Sequence, residues 1–368
     1  MIWFCSVIAL LLVIQFGSLR VLLQKNWKNH ALLQPIDLPL VSILVAARNE
    51  EKDLPRLLTS MAELDYPMEK LEILIADDQS EDQTSELISR WASASSNRKM
   101  ISVLPDQTQL FHKNGKANAL AILAREAKGS LFFFTDADCV VPPTWIKRGV
   151  SCFREEIGLV IGITQVRSQS LFEQMQELDW WNTLGMVKAV TDLGLPTTGL
   201  GNNMIISKEA YHKSGGFEGI PFSLTEDLEI SRTVRRSGFA LIHQVDPQLL
   251  VTTKAEAGWR DLLRQRKRWM NGVMSLSLGW KLLLGLQILF FPAMAVLLFE
   301  NLLSGLAIWV LKISLQSLFL IKIASKAGQK LRLRSLLILD FYQILALSLT
   351  ILYYFWPVQT QWKARNYP

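Results

Sequence analysis

The chain has 368 residues, of which 50% are hydrophobic and 20% charged, with three cysteines and a formal net charge of +6. This composition excludes a disordered protein and a disulfide-stapled scaffold, while the length allows two or three domains. The mean hydropathy of +0.21 is high for a purely soluble protein. Because apolar residues are concentrated near the two ends of the chain, we predict a membrane protein with one central soluble domain.

The first apolar segment runs from Ile2 to Leu19 and approaches the length that crosses a bilayer core of ~30 Å. A cleaved signal peptide would begin with basic residues and end at a small-residue cleavage site, and neither is evident here. The basic residues instead follow the segment, as Arg20, Lys25 and Lys28. This order predicts a retained amino-terminal transmembrane anchor over residues 1–24.

The central region, residues 38–257, alternates β-rich runs with helical patterns, which is typical of an α/β fold with a parallel sheet. The predicted strands are Val41–Ala46, Leu71–Ala76, Ile101–Leu104, Leu131–Thr135, Gly158–Thr164 and Met204–Ser207. Ser80, with Gln83 three residues later, predicts a capping box at the start of the helix that follows the second strand.

Two of the predicted strands end directly in aspartates. One is followed by Asp77 and Asp78, and the other by Asp136 and Asp138. Ligands of open α/β sheets bind outside the carboxyl ends of the strands, where four carboxylates would repel one another without a compensating cation. Mg²⁺ or Mn²⁺ bound together with a diphosphate would supply that charge. The alternative for each pair is a solvated turn or a helix cap, because D-x-D alone is a weak motif.

Two further patterns strengthen the case for a catalytic site. Glu226 and Asp227 stand at the start of a predicted helix, where the helix dipole alone would also explain acidic residues. Gln265, Arg268 and Trp269 are spaced i, i+3 and i+4, and therefore occupy neighbouring positions on one helical face. A basic helix attracted to acidic lipid head groups would explain the arginine, but it would explain neither the glutamine nor the tryptophan.

Three apolar stretches near the carboxyl end predict transmembrane helices within residues 282–356, followed by a short tail over residues 357–368. These stretches are Leu282–Phe299, Leu302–Ile323 and Leu336–Trp356. Basic residues crowd the segments that precede the first and the last of them. The positive-inside rule therefore places the central domain on the cytoplasmic side of the cell membrane in a multi-pass protein. Lys312 lies midway along its stretch, so it either snorkels, faces a neighbouring helix, or marks a short or tilted span.

The ordered motifs together resemble those of the family 2 glycosyltransferases with a GT-A fold, over about residues 40–272. Residues 41–50 are similar to the opening strand and nucleotide-contact loop of that family, with Ala47 where proline is more usual. Residues 74–80 resemble its uridine-binding aspartate motif, with Gln79 in the place of the common glycine.

The remaining motifs follow in the order expected for the same family. Asp136-Ala137-Asp138 is similar to its metal-binding D-x-D, and Thr225-Glu226-Asp227 is similar to the motif that holds the catalytic base. Residues 265–269 match the Q-x-x-R-W element of processive synthases and ceramide-type glucosyltransferases. The resemblance implies a GT-A domain, a nucleotide-diphospho-sugar transferase with a Rossmann-like mixed sheet, attached to transmembrane helices.

The resemblance also implies a role for each matched residue. The residues implied to bind the nucleotide sugar are Asn49, Glu50, Asp77, Asp78, Lys116 and Asp136. Those implied to hold a Mn²⁺ or Mg²⁺ ion are Asp136 and Asp138. Those implied to be catalytic are Glu226, Asp227 and Arg268, with Asp227 as the base. Those implied to meet the acceptor and the diphosphate are Gly201, Asn202, Gln265, Arg268 and Trp269.

The chemistry of sugar transfer agrees with these roles. The leaving group is a diphosphate, so catalysis must stabilise developing negative charge, which a metal on Asp138 with Lys116 and Arg268 would do. An alcohol acceptor is a poor nucleophile and needs a base such as Asp227. Inversion at the sugar carbon and a UDP carrier are implied by the family alone.

The acceptor is predicted from the segments that adjoin the membrane. Residues 258–281 read as an interfacial amphipathic helix, and Leu171–Leu195 reads either as a second one or as an ordinary half-buried helix. As interfacial helices, the two segments would bring the active site close to the lipid head groups, which favours transfer of one sugar to a lipid acceptor at the cytoplasmic face, with membrane lipids as partners. The alternatives are a processive polysaccharide synthase with a glycan acceptor and, in a different class, a catalytically silent membrane scaffold.

Nucleic-acid binding is the other function that a basic chain brings to mind. The isoelectric point is about 9.2, but the basic residues accompany the apolar segments and do not form an aromatic-interleaved patch. We therefore predict no nucleic-acid partner.

Overall fold

The computed structural model describes residues 2–31, 38–363 and 365–367. The chain divides into two compact units, which we call the sheet unit and the helical unit. The sheet unit comprises Lys28–Val166 and Val190–Lys254, and the helical unit comprises Met1–Trp27, Arg167–Ala189 and Ala255–Pro368. Met1, residues 32–37, Ala364 and Pro368 lie outside the described residues, including the ends of the predicted anchor and tail.

The sheet unit contains a mixed seven-stranded sheet and a separate two-stranded one. The strands are β1 Val41–Ala47, β2 Leu71–Asp77, β3 Arg98–Ser102, β4 Leu131–Phe134, β5 Ile157–Ile161, β6 Ile163–Val166, β7 Met204–Ser207, β8 Ala240–His243 and β9 Leu250–Thr253. The order in the large sheet is β3-β2-β1-β4-β7-β5-β8. Strand β7 runs antiparallel to both of its neighbours, so the sheet is mixed as the resemblance implies, not wholly parallel.

Helices cover the sheet and connect its strands. In this unit they are α2 Leu54–Ala62, α3 Thr84–Ala92, α4 Gly115–Glu126, α5 Trp145–Val150, α7 Lys208–Lys213, α8 Gly216–Gly219 and α9 Glu226–Arg236. Nearly all side chains of β1 and β4 are buried between these layers, which explains why both strands are mainly apolar in sequence.

Two predictions about local structure were wrong. The capping box does not form, because α3 begins at Thr84 and the Ser80 hydroxyl instead accepts a hydrogen bond from the backbone of Asn49. The predicted strand over residues 158–164 is divided between β5 and β6, which belong to different sheets. The chain bends between them at Gly162, where an added Cβ would lie 2.3 Å from the Asn203 side chain.

The helical unit contains the helices that are long and apolar enough to cross a membrane. Its helices are α1 Ile2–Lys25, most of α6 Leu171–Asp192, α10 Trp259–Met274, α11 Leu278–Glu300, α12 Leu302–Lys326 and α13 Leu333–Phe355. Among the described residues, α1, α11, α12 and α13 have the length and hydropathy of membrane spans. A short hairpin of β10 Thr360–Trp362 and β11 Arg365–Tyr367 follows α13.

The helix boundaries refine the segments predicted from the sequence. The predicted segment 258–281 contains the whole of α10 and the start of α11, which are separated by a turn at residues 275–277. Helix α6 has the fully buried side chains Trp181 and Lys188 beside half-buried and exposed positions. Lys312 of α12 faces a neighbouring helix, where it pairs with Asp340 of α13.

Candidate active site

The loops that follow β1 and β2 start level with each other, because Ala47 pairs with Asp77 in the parallel register. Asn49 and Gln79 in these loops have φ angles of 52° and 59°. This left-handed conformation costs a non-glycine residue about 1–2 kcal/mol. The backbone N–H of Asn49 donates to Ser80 Oγ at 3.0 Å, so each loop supports the other.

Arg48 is the second connection between these loops. Its Nη1 donates to the backbone carbonyl of Asp78 at 2.5 Å and to that of Gln79 at 3.0 Å. Its Nη2 lies 3.4 Å from a Glu81 carboxylate oxygen. Gln79 stands where glycine is more usual, and the hydrogen bonds from this buried guanidinium offset its left-handed backbone.

All four residues predicted to hold the nucleoside lie at this edge of the sheet: Asn49, Glu50, Asp77 and Asp78. Asn49 Oδ1 accepts from the backbone of Glu81 at 2.8 Å, and Asp77 Oδ1 accepts from that of Ser80 at 3.2 Å. By accepting these backbone hydrogen bonds, the two oxygens stabilise the conformations of the loops after β1 and β2. Asp78 is only 2% exposed and its backbone N–H donates to the carbonyl of Ala47. Their binding roles stay predictions.

Lys116 is the centre of a cluster of charged groups. Its Nζ lies 2.6 Å from Asp136 Oδ1 and 3.0 Å from Glu226 Oε1. It occupies the first turn of α4, which Asn114 caps by accepting from the Lys116 backbone N–H at 2.9 Å. Burial alone would lower the pKa of Lys116, but the carboxylates of Asp136, Glu226 and Asp227 prevail and raise it. The side chain is therefore a cation at neutral pH.

Asp227 lies in the first turn of α9, beside the same cluster. Its Oδ2 accepts from the backbone N–H of Gly201 at 3.0 Å, and its Oδ1 accepts from that of Leu228 at 2.8 Å. Burial, followed by the charge of Glu226, raises the pKa of Asp227 to about 6, although Gly201 and Lys116 act in the opposite direction. A carboxylate with such a pKa is suited to accept a proton near neutral pH.

Gly201 lies against two members of this cluster. A Cβ at this position would lie 3.3 Å from Lys116 Nζ and 3.6 Å from Asp227 Oδ2. The next residue is fixed by strand β6, because Asn202 Oδ1 accepts from the Thr164 hydroxyl at 3.1 Å. The structure thus places the predicted acceptor segment, Gly201 and Asn202, directly against the predicted base.

Two residues that sequence reasoning missed hold this cluster together. Asn114 Nδ2 donates to the carbonyl of Ser223 at 2.8 Å, close to Glu226. His112 Nδ1 accepts from the backbone of Asn114 at 2.9 Å, so Nε2 is left to donate to the carbonyl of Pro221 at 3.3 Å. The N-cap role of Asn114 could have been predicted from the sequence, since asparagine is a preferred N-cap residue. Its partners near residue 223 could not be read from the sequence.

Asp138 has a different set of neighbours from Asp136. Lys254 Nζ lies 3.9 Å from Asp138 Oδ2 and donates to Asp53 Oδ2 at 2.6 Å. Burial would lower the pKa of Lys254, but the hydrogen bond to Asp53 and the charges of Asp138 and Glu50 raise it. Lys254 and Asp53 were also missed from the sequence.

Few of the described side chains are placed to bind a metal ion. Among the described residues, no group of three or more His, Cys, Asp or Glu side chains is placed to hold a metal ion. The D-x-D motif offers the carboxylates of Asp136 and Asp138. Because Mg²⁺ is commonly held by one or two carboxylates together with substrate phosphates and water, these residues fit an ion that binds with the donor.

The Q-x-x-R-W residues lie on α10 in the helical unit. Gln265 Nε2 donates to Glu256 Oε1 at 2.8 Å. The Trp269 ring packs on Trp180 of α6, with ring centroids 5.5 Å apart and an interplanar angle of 31°. Arg268 is half-buried on the same helix. Their roles toward diphosphate and acceptor stay predictions.

Comparison with curated proteins gives relatives of two kinds. The β-monoglucosyldiacylglycerol synthase of Trichormus variabilis is 27% identical over 244 residues, which are 64% of this chain and 49% of that protein. The poly-β-1,6-N-acetyl-D-glucosamine synthase of Staphylococcus aureus is 26% identical over 236 residues, which are 63% of this chain and 54% of that protein. The chain therefore spans about half the length of the curated relatives it matches.

Among solved structures, the mannosyltransferase PcManGT from Pyrobaculum calidifontis, in complex with GDP-Man and Mn²⁺, matches with a TM-score of 0.61. It is 19% identical, and the match covers 88% of this chain and 99% of that one. This likeness confirms the predicted GT-A fold.

The whole-chain comparison identifies the family. The profile of glycosyl transferase family 21 matches residues 4–368, which is nearly the full length. The protein is thus a glycosyltransferase with helices that indicate membrane association, as the resemblance to family 2 enzymes predicted. The chain belongs to glycosyl transferase family 21.

Proposed function

We propose that this glycosyltransferase moves one sugar from a nucleoside-diphosphate sugar, with UDP as the carrier, to a lipid acceptor at the cytoplasmic face of the cell membrane. One observation carries the proposal. The carboxylate of Asp227, whose pKa is raised to about 6, lies in one cluster with the Lys116 ammonium at the carboxyl edge of the sheet. A base beside a fixed cation is the arrangement that attack of an alcohol on a sugar diphosphate requires.

The transfer step uses these groups as follows. The acceptor hydroxyl gives its proton to Asp227 while its oxygen forms a bond to the anomeric carbon of the sugar. The bond from that carbon to the diphosphate oxygen breaks, and the electron pair leaves with the nucleoside diphosphate. Lys116 stabilises the negative charge that develops there. A single displacement of this kind inverts the anomeric carbon.

The donor site would lie on the interlocked loops after β1 and β2. Asn49, Glu50, Asp77 and Asp78 lie at these strand ends, and the carboxyl ends of strands are where open α/β sheets bind their ligands. A Mn²⁺ or Mg²⁺ ion would be held by Asp136 and Asp138 together with the donor phosphates, where it would supply further compensation of negative charge.

The lipid acceptor is supported by the relatives and by the helices. One relative is named a β-monoglucosyldiacylglycerol synthase. The chain has four helices with the properties of membrane spans among its described residues. Residues 38–257 would form the catalytic domain on the cytoplasmic side, and α10 would lie at the membrane interface next to the lipid head groups.

A processive polysaccharide synthase is the second candidate. The Q-x-x-R-W element, Gln265 to Trp269, and the relative named a poly-β-1,6-N-acetyl-D-glucosamine synthase favour it. The part of the chain that the structure describes has four helices with the properties of membrane spans, which is little material for a polymer conduit built by one chain. The lipid acceptor is therefore the better-supported proposal.

Product analysis separates the two candidates. Detergent-purified protein is incubated with a panel of labelled sugar nucleotides, mixed lipids and Mn²⁺ or Mg²⁺, and the products are extracted and identified by mass spectrometry. Label in a lipid carrying one added sugar is expected. Label found only in long polysaccharide would contradict the proposal.

Matched variants test the assigned residues and the scaffold alternative. Asp227→Asn and Asp138→Ala are expected to lower kcat by about 10²–10⁴-fold, the range typical of a lost general base or charge stabiliser. Glu155→Gln, at an exposed carboxylate of the same unit, serves as the control. A cellular phenotype that survives Asp227→Asn in the folded protein would favour a silent scaffold instead.

A further inference from the structure

A buried ion pair lies between the membrane helices α12 and α13. Lys312 Nζ is 2.5 Å from Asp340 Oδ1, and each residue is only 1% exposed. Trp309 Nε1 donates to Asp340 Oδ2 at 2.7 Å. Ionisable residues inside a membrane bundle destabilise it unless they are paired, and they are retained mainly where they serve a function.

Two glutamines extend this ion pair toward α6. Lys312 Nζ donates to Gln316 Oε1 at 2.7 Å, and Gln316 Nε2 donates to Gln343 Oε1 at 3.2 Å. Gln343 Nε2 then donates to Asp179 Oδ1 of α6 at 3.4 Å. An ammonium group only donates and a carboxylate only accepts, so Lys312 and Asp179 fix the direction of both amides from the two ends, and every donor in this chain of bonds points from Lys312 to Asp179.

The chain of bonds ends on α10. Asp179 Oδ2 accepts from Arg266 Nη2 at 2.5 Å, and the same nitrogen donates to the Tyr342 hydroxyl at 3.3 Å. Arg266 is a variable position of Q-x-x-R-W, directly between Gln265 and Arg268 in the helix. The ion pair in the bundle is thus connected to the helix that carries the predicted acceptor and diphosphate residues.

The other variable position anchors the same helix on a second side. Lys267 Nζ donates to the backbone carbonyls of Trp356 at 2.8 Å and Val358 at 2.7 Å, just after α13. Helix α10 is therefore tied by Arg266 to α6 and α13, and by Lys267 to the segment that follows α13. These hydrogen bonds restrict the rotation of α10 about its axis and its movement along that axis. Arg268 and Trp269 lie on this helix.

We propose that Lys312, Asp340, Gln316, Gln343, Asp179 and Arg266 are positioning residues, whose directional polar chain sets α10 in the orientation that transfer requires. The inference rests on the proposed function, because it takes the roles of Arg268 and Trp269 from it. A chain that only stabilised the bundle would be replaceable by apolar side chains of similar volume, since such replacement of buried ion pairs is often neutral or stabilising. A positioning chain is not replaceable in this way, because Gln316 Oε1 loses the ammonium that donates to it and Trp309 Nε1 loses its carboxylate acceptor.

The double variant Lys312→Met/Asp340→Leu separates these two possibilities. We expect the variant to fold, as shown by a cooperative melting transition, with a kcat lower by about tenfold or more and a donor KM within about twofold, as for a misplaced catalytic element. Gln343→Leu interrupts the chain of hydrogen bonds but keeps the ion pair. It is also expected to lower kcat while the donor KM stays nearly unchanged. Ser314→Ala, at an exposed position of α12, is the matched control.

A second readout does not depend on activity. In hydrogen exchange by mass spectrometry, backbone amides of α10 should exchange faster in both variants, while those of strand β4 should keep the wild-type rate. The inference is overturned if the folded double variant keeps kcat within about twofold of wild type, or if exchange in α10 is unchanged. Rates are compared with the acceptor that the wild type uses, so a failure of the lipid proposal would appear in the wild type itself and not as a difference between variants.

Discussion

The Asp227 carboxylate accepts a hydrogen bond from the backbone N–H of Gly201 at 3.0 Å. This bond fixes the predicted base against the segment where the acceptor is expected, and Gly201 has no side chain to separate it from Lys116. Gly201 lies in the turn before β7, and Asp227 lies in the first turn of α9. The geometry of the base therefore depends on the backbone of the acceptor segment as much as on α9.

Activity is expected to fall on the acidic side of about pH 6, because Asp227 must be ionised to accept a proton and its pKa is raised to about 6. The pH profile of kcat/KM checks this. The raised pKa means that the folded state favours the protonated carboxyl, so the stabilisation from Asp227 is present at low pH and lost as the pH rises through about 6. Asp227→Asn should therefore remove the acidic limb from any residual activity without lowering the melting temperature at neutral pH.

Gly201→Ala is expected to lower kcat, by less than the roughly 10²-fold loss that a misplacement of about 1 Å can cause, because its Cβ would displace the Lys116 ammonium by a few tenths of an ångström. The steady-state rate with saturating donor checks this. Gly279→Ala is the control, since an added Cβ there has no neighbour within 4 Å. An unchanged kcat would show that the cluster can rearrange without affecting transfer.

Arg48→Ala is expected to raise the donor KM by about 5–30-fold, since the left-handed backbone of Gln79 would lose compensation of about 1–2 kcal/mol. Adding Gln79→Gly in the same chain should recover most of that loss, because glycine adopts this backbone without strain. Arg90→Ala, which removes an exposed arginine paired with Glu86 one turn away, should have no effect on the donor KM. Failure of the glycine rescue would contradict the assigned role of Arg48.

Mn²⁺ binding is expected to depend on the nucleotide. The described residues offer the D-x-D carboxylates and no cluster of three ligands, so donor phosphates must complete the coordination. Titration of Mn²⁺ followed by electron paramagnetic resonance should give an affinity at least about tenfold higher with UDP present than without it. Asp138→Ala should abolish the difference. Equal affinity in the two conditions would indicate a preformed ion site elsewhere.

The parts of the fold and site that could be predicted are those that depend on patterns of neighbouring residues in the sequence. The strand ends located Asp77, Asp78, Asp136 and Asp138, and apolar runs located every membrane-length helix among the described residues. The grouping of Asp136 with Glu226 and Asp227 followed from ordered motifs, not from spacing.

The parts that could not be predicted depend on partners far apart in the chain. Lys254 meets Asp53 across 201 positions, and Gln343 meets Asp179 across 164. No periodicity encodes such pairs, because they are set by how helices and loops pack. The division of one predicted strand at Gly162 has the same origin, since Gly162 lies against the distant Asn203, whose side chain an added Cβ would meet at 2.3 Å.

The pairing of Arg48 with the turn at position 79 has a consequence for how this family diverges. A chain with glycine at position 79 needs no guanidinium to hold the turn, whereas any larger residue there does. Substitutions at the two sites should therefore occur together across homologous sequences, with isoleucine, valine and threonine absent from position 79, since β-branched residues avoid positive φ most strongly.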